Sequence, residues 1–410
     1  MSASRVKKLT GRSLAHRQDY GAESTGADGM ADASALMLDR LKTLVIRTDD
    51  PDEASHMQAA FTEERDVAFV RPEYYVYPTD TFEARYAEWV REGLDILVKQ
   101  AVRTPLGPRF ASPELAVPAA TQMATWGVRA VQADLSSYTG AGIKVAVLDT
   151  GFDFTHPDFQ DREIVRASFV PTKTAQDMQG HGTHCAGTVV GGSRPDGLRY
   201  GVAPNAELHV GKVLGPGGGA ESWLLAGMDW AVDQGCDVIS MSLGRTIDAG
   251  EGPDPLFEQA GETALANGCL VVAAAGNDSR RPRFVAPVNA PANARSILAV
   301  SAIDEAGEVA FFSNQGQVPG GGEVDLCAPG VDILSSTLEP RRYEELMGTS
   351  MATPHVAGVA ALLAESDPEL RGRALWAALA NTASNVNQRR VDVGSGLAQA
   401  PVRAGPGLTR

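Results

Sequence analysis

The sequence predicts an α/β fold, a mostly parallel sheet with helices on both faces, preceded by a small α+β unit. Three observations carry this. From about residue 120 onward, apolar, β-rich runs recur: IKVAVLD (143–149), AELHVGKVL (206–214), CDVISMSLG (236–244) and CLVVAAAG (269–276). Helical stretches separate several of them, including SWLLAGMDWAVDQG (222–235) and DPLFEQAGETALANG (254–268). Strands that are apolar throughout, alternating with helices, suit a parallel sheet covered on both sides. Several runs then end in polar or glycine-rich text, DTG, SLG and AAGN. Sites in such sheets form at the carboxyl ends of strands.

The elements before residue 120 follow in order. Residues 1–33 are polar and aperiodic and are expected to be a flexible tail. LKTLVIRTDD (41–50) reads as a strand, PDEASHMQAAFTEE (51–64) as a helix with an acidic first turn, and VAFVRPEYYVYP (67–78) as another strand. Residues 34–80 thus form a β-α-β unit too small to stand alone as an enzyme domain. Phe82, Tyr86, Trp89, Val90, Leu94 and Leu97 recur at helical spacing, so 81–120 is an amphipathic helix (82–101) and a Pro-rich linker (103–120). The main domain is expected over 121–405.

Composition narrows the function. The 410 residues are 43% hydrophobic, ample for a core, and 43 glycines fit functional loops and close backbone approaches. A formal charge of −15 argues against nucleic acid as a partner. No apolar run is long enough for a membrane span, and no apolar segment follows the basic N-terminus as in a secretory signal. Cytoplasmic residence is the expectation, with leaderless export as the alternative. Cys185, Cys236, Cys269 and Cys327 lack metal-site spacing and sit in small or apolar contexts, so they read as buried free thiols. No G-x-G-x-x-G follows a strand, which argues against a dinucleotide site.

Three segments carry chemistry. Asp149 ends the strand IKVAVLD, His181 lies in GHGTHCAGT, and Ser350 sits in GTSMATPHVAG, where a turn runs into a helix. Each has a structural explanation of its own: a turn-capping Asp, a core His, an N-cap Ser. Together they can make a nucleophile, a base and a carboxylate that orients the base. Pro354 is expected in the first helical turn, where no intrahelical donor is needed.

In VAVLDTGFDFTHPDF, GHGTHCAGTV, GVAPNAELHVGKVL, ISMSLG, VVAAAGN, DLCAPGVDILSS and GTSMATPHVAGVAALL, residues 121–400 resemble the subtilisin-like serine proteases. The resemblance implies Ser350 as nucleophile, His181 as general base and acid, Asp149 as its partner, and Asn277 as an oxyanion donor. It implies that an extended peptide or protein substrate pairs with Gly217, Gly218 and Gly219 on one side. Ser242, Leu243 and Gly244 flank it on the other, and Ala273, Ala274 and Gly276 line an apolar or unselective side pocket. Ala220 and Arg245 depart from the family's usual residues, which leaves the outer subsites open. Cys185 follows His181 as in the proteinase K-like branch, and His184 reads as structural.

The resemblance also implies calcium as a structural cofactor, with Asp158 and Gln122 as ligands and Asp196 as a substitute. Calcium is not required for the chemistry. The unit at 34–80 resembles a propeptide that covers the cleft as an intramolecular inhibitor, with self-processing expected after Ala120. A peptide ligase or macrocyclase would use the same triad, and a protein-binding pseudoprotease would lack it.

Overall fold

The computed structural model describes residues 2–19, 35–48, 50–78, 123–247, 251–316 and 322–402. The chain opens with helix α1 (Ala3–Thr10), capped by the Ser2 side chain, which accepts from the Arg5 N–H. Strand β1 (Ala15–His16) pairs in parallel with β2 (Ala35–Leu38), which pairs antiparallel with β3 (Thr43–Ile46). Helix α2 (Pro51–Thr62) has the acidic start expected, with Asp50 accepting from the Asp52 and Glu53 N–H groups. Strand β4 (Tyr75–Pro78) is confined to the end of the strand expected over 67–78 and does not join the β1–β3 sheet, so the expected β-α-β pairing is not formed.

A second expectation is corrected as well. Residues 2–19 are not a loose tail. Arg5 pairs with Glu64, Arg12 with Glu53 at 2.9 Å, and Arg17 with Asp229 at 2.6 Å. These partners lie far along the chain, so local periodicity does not announce them. The strand expected over 41–50 is present but shorter, as β3 (Thr43–Ile46). Lys42, at φ 54°, turns the chain between β2 and β3. The helix at 82–101, the linker at 103–120, the cut after Ala120 and Gln122 lie outside the described residues.

The larger unit contains α3 (Trp126–Ala130), β5 (Lys144–Asp149), β6 (Val165–Ser168), α4 (His181–Val190), β7 (Glu207–Lys212), β8 (Gly219–Ala220) and α5 (Glu221–Asp233). It continues with β9 (Val238–Met241), β10 (Leu243–Gly244), α6 (Pro255–Ala266), β11 (Leu270–Ala274), β12 (Leu298–Ile303) and β13 (Leu326–Pro329). A hairpin, β14 (Ile333–Ser336) and β15 (Tyr343–Leu346), precedes α7 (Thr349–Ser366), α8 (Gly372–Thr382) and α9 (Arg390–Val393).

The seven-stranded sheet runs β13-β12-β11-β9-β5-β7-β6, and every pairing in it is parallel. Side chains alternate across it. Val145 and Val147 of β5 pack with Val189 of α4 and Val356 of α7 in one apolar cluster. Ala146 and Leu148 pack with Leu224 of α5 and Phe257 of α6 in the other. Apolar residues on both faces of the strands are what made these runs legible. The neighbouring strands β5, β9 and β11 end together, so Asp149, Ser242 and Asn277 emerge along one edge. No helix among the described residues is long and apolar enough to cross a membrane.

Candidate active site

Asp149, at the end of β5, is buried. Its Oδ1 accepts from the Thr150 N–H at 2.6 Å and pairs with His181 Nδ1 at 2.7 Å. His181 is the first residue of α4 and is buried as well. Its place is set by Asp177, which the sequence reading missed. One Asp177 oxygen accepts from the Gln179 and Gly180 N–H groups and the Thr150 hydroxyl, at 2.9, 3.1 and 2.9 Å. The other accepts from the Thr183 N–H and hydroxyl at 3.0 and 2.7 Å. A carboxylate at a helix start satisfies orphan donors and suits the dipole. The signal for Asp177 was available: an acidic residue four positions before a helix-initiating His.

Ser350 lies in the first turn of α7, and its hydroxyl donates to the Ser242 carbonyl at 3.2 Å. Cys185 links it to His181, with its sulfur 3.8 Å from His181 Nε2 and 3.6 Å from the Ser350 carbonyl oxygen. Burial pushes the Cys185 thiol up, so it stays protonated at neutral pH. All four cysteines are free and buried.

Pro354 lies beyond the first turn, contrary to expectation. Its missing N–H would have bonded to the Ser350 carbonyl. That oxygen instead accepts from the Ser242 hydroxyl at 2.8 Å. The proline thereby ties the nucleophile's backbone to the neighbouring strand end.

Asn277 follows β11. Its Oδ1 accepts from both the N–H and the hydroxyl of Thr349, each at 2.9 Å, which makes the amide nitrogen the donating end. Thr349 is a second positioning residue that sequence reading passed over, although it stands beside Ser350 in GTS. Gly276, at φ 111°, donates its N–H to the Thr349 hydroxyl oxygen at 3.1 Å, and a Cβ there would collide with the Asn314 and Asn289 amides. Ala274, at the end of β11, and its neighbours Ala273 and Ala275 are fully buried.

The two expected substrate edges are already engaged. β4 lies between β8 and β10, antiparallel to both. Tyr75 and Val76 face Ala220 and Gly219, while Tyr77 and Pro78 face Gly244 and Leu243. Val76 is fully buried. Gly218, at φ 96°, must be glycine here, because a Cβ would come within 2.7 Å of Tyr77 and the Val76 carbonyl. Gly217 stands open beside it.

His184 is buried with Nε2 near the Ile333 and Glu344 carbonyl oxygens, at 2.9 and 3.1 Å, and burial lowers it to about 3. It is a neutral structural group. Asp158 has its carboxylate engaged by two tyrosine hydroxyls, Tyr200 at 2.7 Å and Tyr343 at 2.8 Å. Asp196 pairs with Arg194, whose guanidinium lies 4.9 Å over the Tyr343 ring. A hard divalent cation needs six to eight oxygen ligands. Gln122, the other expected ligand, lies outside the described residues, and Asp196 is turned to Arg194. Asp149, His181 and Cys185 approach one another closely enough to suggest a metal, but a raised thiol and a His–Asp hydrogen bond account for them.

Comparison with known proteins agrees with this geometry. The subtilase family model (Peptidase S8) matches residues 140–397. Subtilisin BL of Lederbergia lenta is 41% identical over 284 residues, covering 68% of this chain and 98% of that protein. The major intracellular serine protease of Bacillus subtilis (strain 168) is 41% identical over 237 residues, 56% of this chain and 70% of its own length. The solved structure of sphericase overlays with a TM-score of 0.59 at 29% identity, covering 69% of this chain and 99% of that one. The chain belongs to the subtilase family and is a subtilisin-like serine endopeptidase.

Proposed function

We propose that the chain is made as a latent endopeptidase, in which Ser350 attacks the scissile carbonyl and the N-terminal unit restrains the cleft. The observation that carries the reading is β4, seated antiparallel between β8 and β10 as an extended peptide would be. Asp149 holds the His181 Nδ1–H, so Nε2 carries the lone pair that takes the Ser350 proton. As the serine oxygen bonds to carbon, negative charge moves to the former carbonyl oxygen. The Asn277 amide and the N–H at the start of α7 are the donors for it. His181 then gives its proton to the departing amine, and water repeats the sequence to release the acid. None of these steps uses a metal. Family membership is compatible with a structural calcium ion, although Asp158 has its oxygens occupied by tyrosines. The buried alanines beside Gly276 fit a broad or apolar preference at the residue before the cut.

The test follows intact mass over time for the full chain and a Ser350→Ala copy, with casein hydrolysis in parallel. The native chain should lose its N-terminal unit and cut casein, while the copy does neither. Equal shortening of both proteins, or no casein cleavage after an added protease has removed the unit, rejects the proposal. An amine-bearing peptide in the same assay separates hydrolysis from ligation.

A further inference from the structure

Arg245, which replaces the family's usual residue after SLG, belongs to a charge cluster beyond the strand edges. Glu221, the first residue of α5, is 1% exposed. Its Oε2 accepts from Arg71 Nη1 at 2.6 Å and from the Tyr74 N–H at 2.9 Å. Its Oε1 is buried without a hydrogen-bond partner among the described residues, 3.9 Å from Arg245 Nε. Asp254, the buried N-cap of α6, lies 2.7 Å from Arg71 Nη2. Arg245 leans toward Glu251 at 2.5 Å, and the Tyr74 ring covers it at 4.3 Å. Arg71 lies against the same ring at 5.1 Å.

The carboxylates belong to the larger unit, whereas Arg71 belongs to the segment leading into β4. When that segment leaves, Glu221, Asp254 and Glu251 face the cleft with Arg245 as their cation in the cluster. Leaving a buried carboxylate without its partner is costly, so the emptied site favours another guanidinium. We propose that Glu221 and Asp254 form an outer subsite for an arginine side chain of the bound peptide. The arginine stands four residues before the strand that enters the cleft. This deepens the protease reading and rests on it: the enzyme selects substrates at a distance by charge while the inner pocket stays unselective. Tyr74 fixes the register, because Glu221 both receives its N–H and donates its own N–H to the Tyr74 carbonyl at 3.0 Å.

The probe is the labelled octapeptide Arg-Pro-Glu-Tyr-Tyr-Val-Tyr-Pro, the text of residues 71–78, beside a copy with neutral citrulline in place of arginine. The host is the full chain carrying Ser350→Ala, which removes turnover, and Val76→Asp, which unseats its own strand. Fluorescence anisotropy should show the arginine peptide bound at least about 30-fold more tightly. Glu221→Gln with Asp254→Asn should reduce that ratio to within about threefold, since Asn still caps a helix. Equal binding of the two peptides, a preference that survives neutralisation, or no binding of either overturns the proposal. Because the host does not hydrolyse, failure here is distinct from failure of the casein assay.

Discussion

Thr349 shows how much at this site is decided by single atoms. By donating twice to the Asn277 oxygen it sets which end of the amide can serve an oxyanion. Asn277→Leu keeps the volume and removes the donor, which should lower kcat by about 10²–10³ with KM within about threefold. Steady-state kinetics on one peptide decides it. A change carried by KM with kcat intact would assign Asn277 to ground-state binding instead. Cys185 belongs to the same scale: its sulfur touches both His181 and Ser350, yet burial keeps it a thiol.

At the scale of elements, α5 and α6 do two jobs. Their inner faces fill the core under the sheet, while their starts and outer flanks receive the N-terminal unit. Asp229, fully buried on α5, accepts from the Arg40 and Leu41 N–H groups at 2.7 and 3.0 Å and from Arg17 Nε at 2.6 Å. Asp233, one helical turn on, takes Arg17 Nη2 at 2.7 Å. Removing Arg17 leaves Asp229 buried beside backbone donors alone, which costs about 3 kcal/mol of docking. Arg17→Ala should therefore speed hydrogen exchange at Ala35–Leu38 by about 100-fold while the amides of β5 stay protected. Unchanged exchange at β2 would show that apolar packing by Leu36, Leu38 and Leu41 holds the unit instead.

For the whole molecule, the buried histidines set a limit in acid. Burial holds His184 at about 3, and His209 and His355 at about 4. The unfolded chain takes a proton on each below about pH 6.5, while the folded protein refuses it until about pH 4. Unfolding therefore binds protons in this window, so stability falls as pH drops through it, by about 1.4 kcal/mol per unit for each histidine. Urea midpoints from pH 7 to 4.5 should decline, with a shallower slope in His355→Gln and His184→Asn. An unaltered slope in both variants would place the acid sensitivity elsewhere.

The sequence by itself marked the parallel sheet and the chemistry-bearing Asp149, His181 and Ser350, and the resemblance it carries added Asn277. Strands apolar on both faces are periodic signals, and the four residues sit where strands end or helices begin, both of which are local properties. Local β-α-β patterning also marked a small N-terminal unit, and the resemblance to subtilisin-like proteases implied that it covers the cleft. Only the tertiary structure decided what holds that unit. Arg17 meets Asp229 and Arg71 meets Glu221 across more than a hundred residues, and no window of sequence contains both partners. The same reason hid the fate of Asp158. Its neighbours Tyr200 and Tyr343 come from distant segments, and their hydroxyls, rather than its place in THPDF, fill its carboxylate. Local chemistry is written along the chain, whereas the pairing of buried charges is settled by which surfaces the fold brings together.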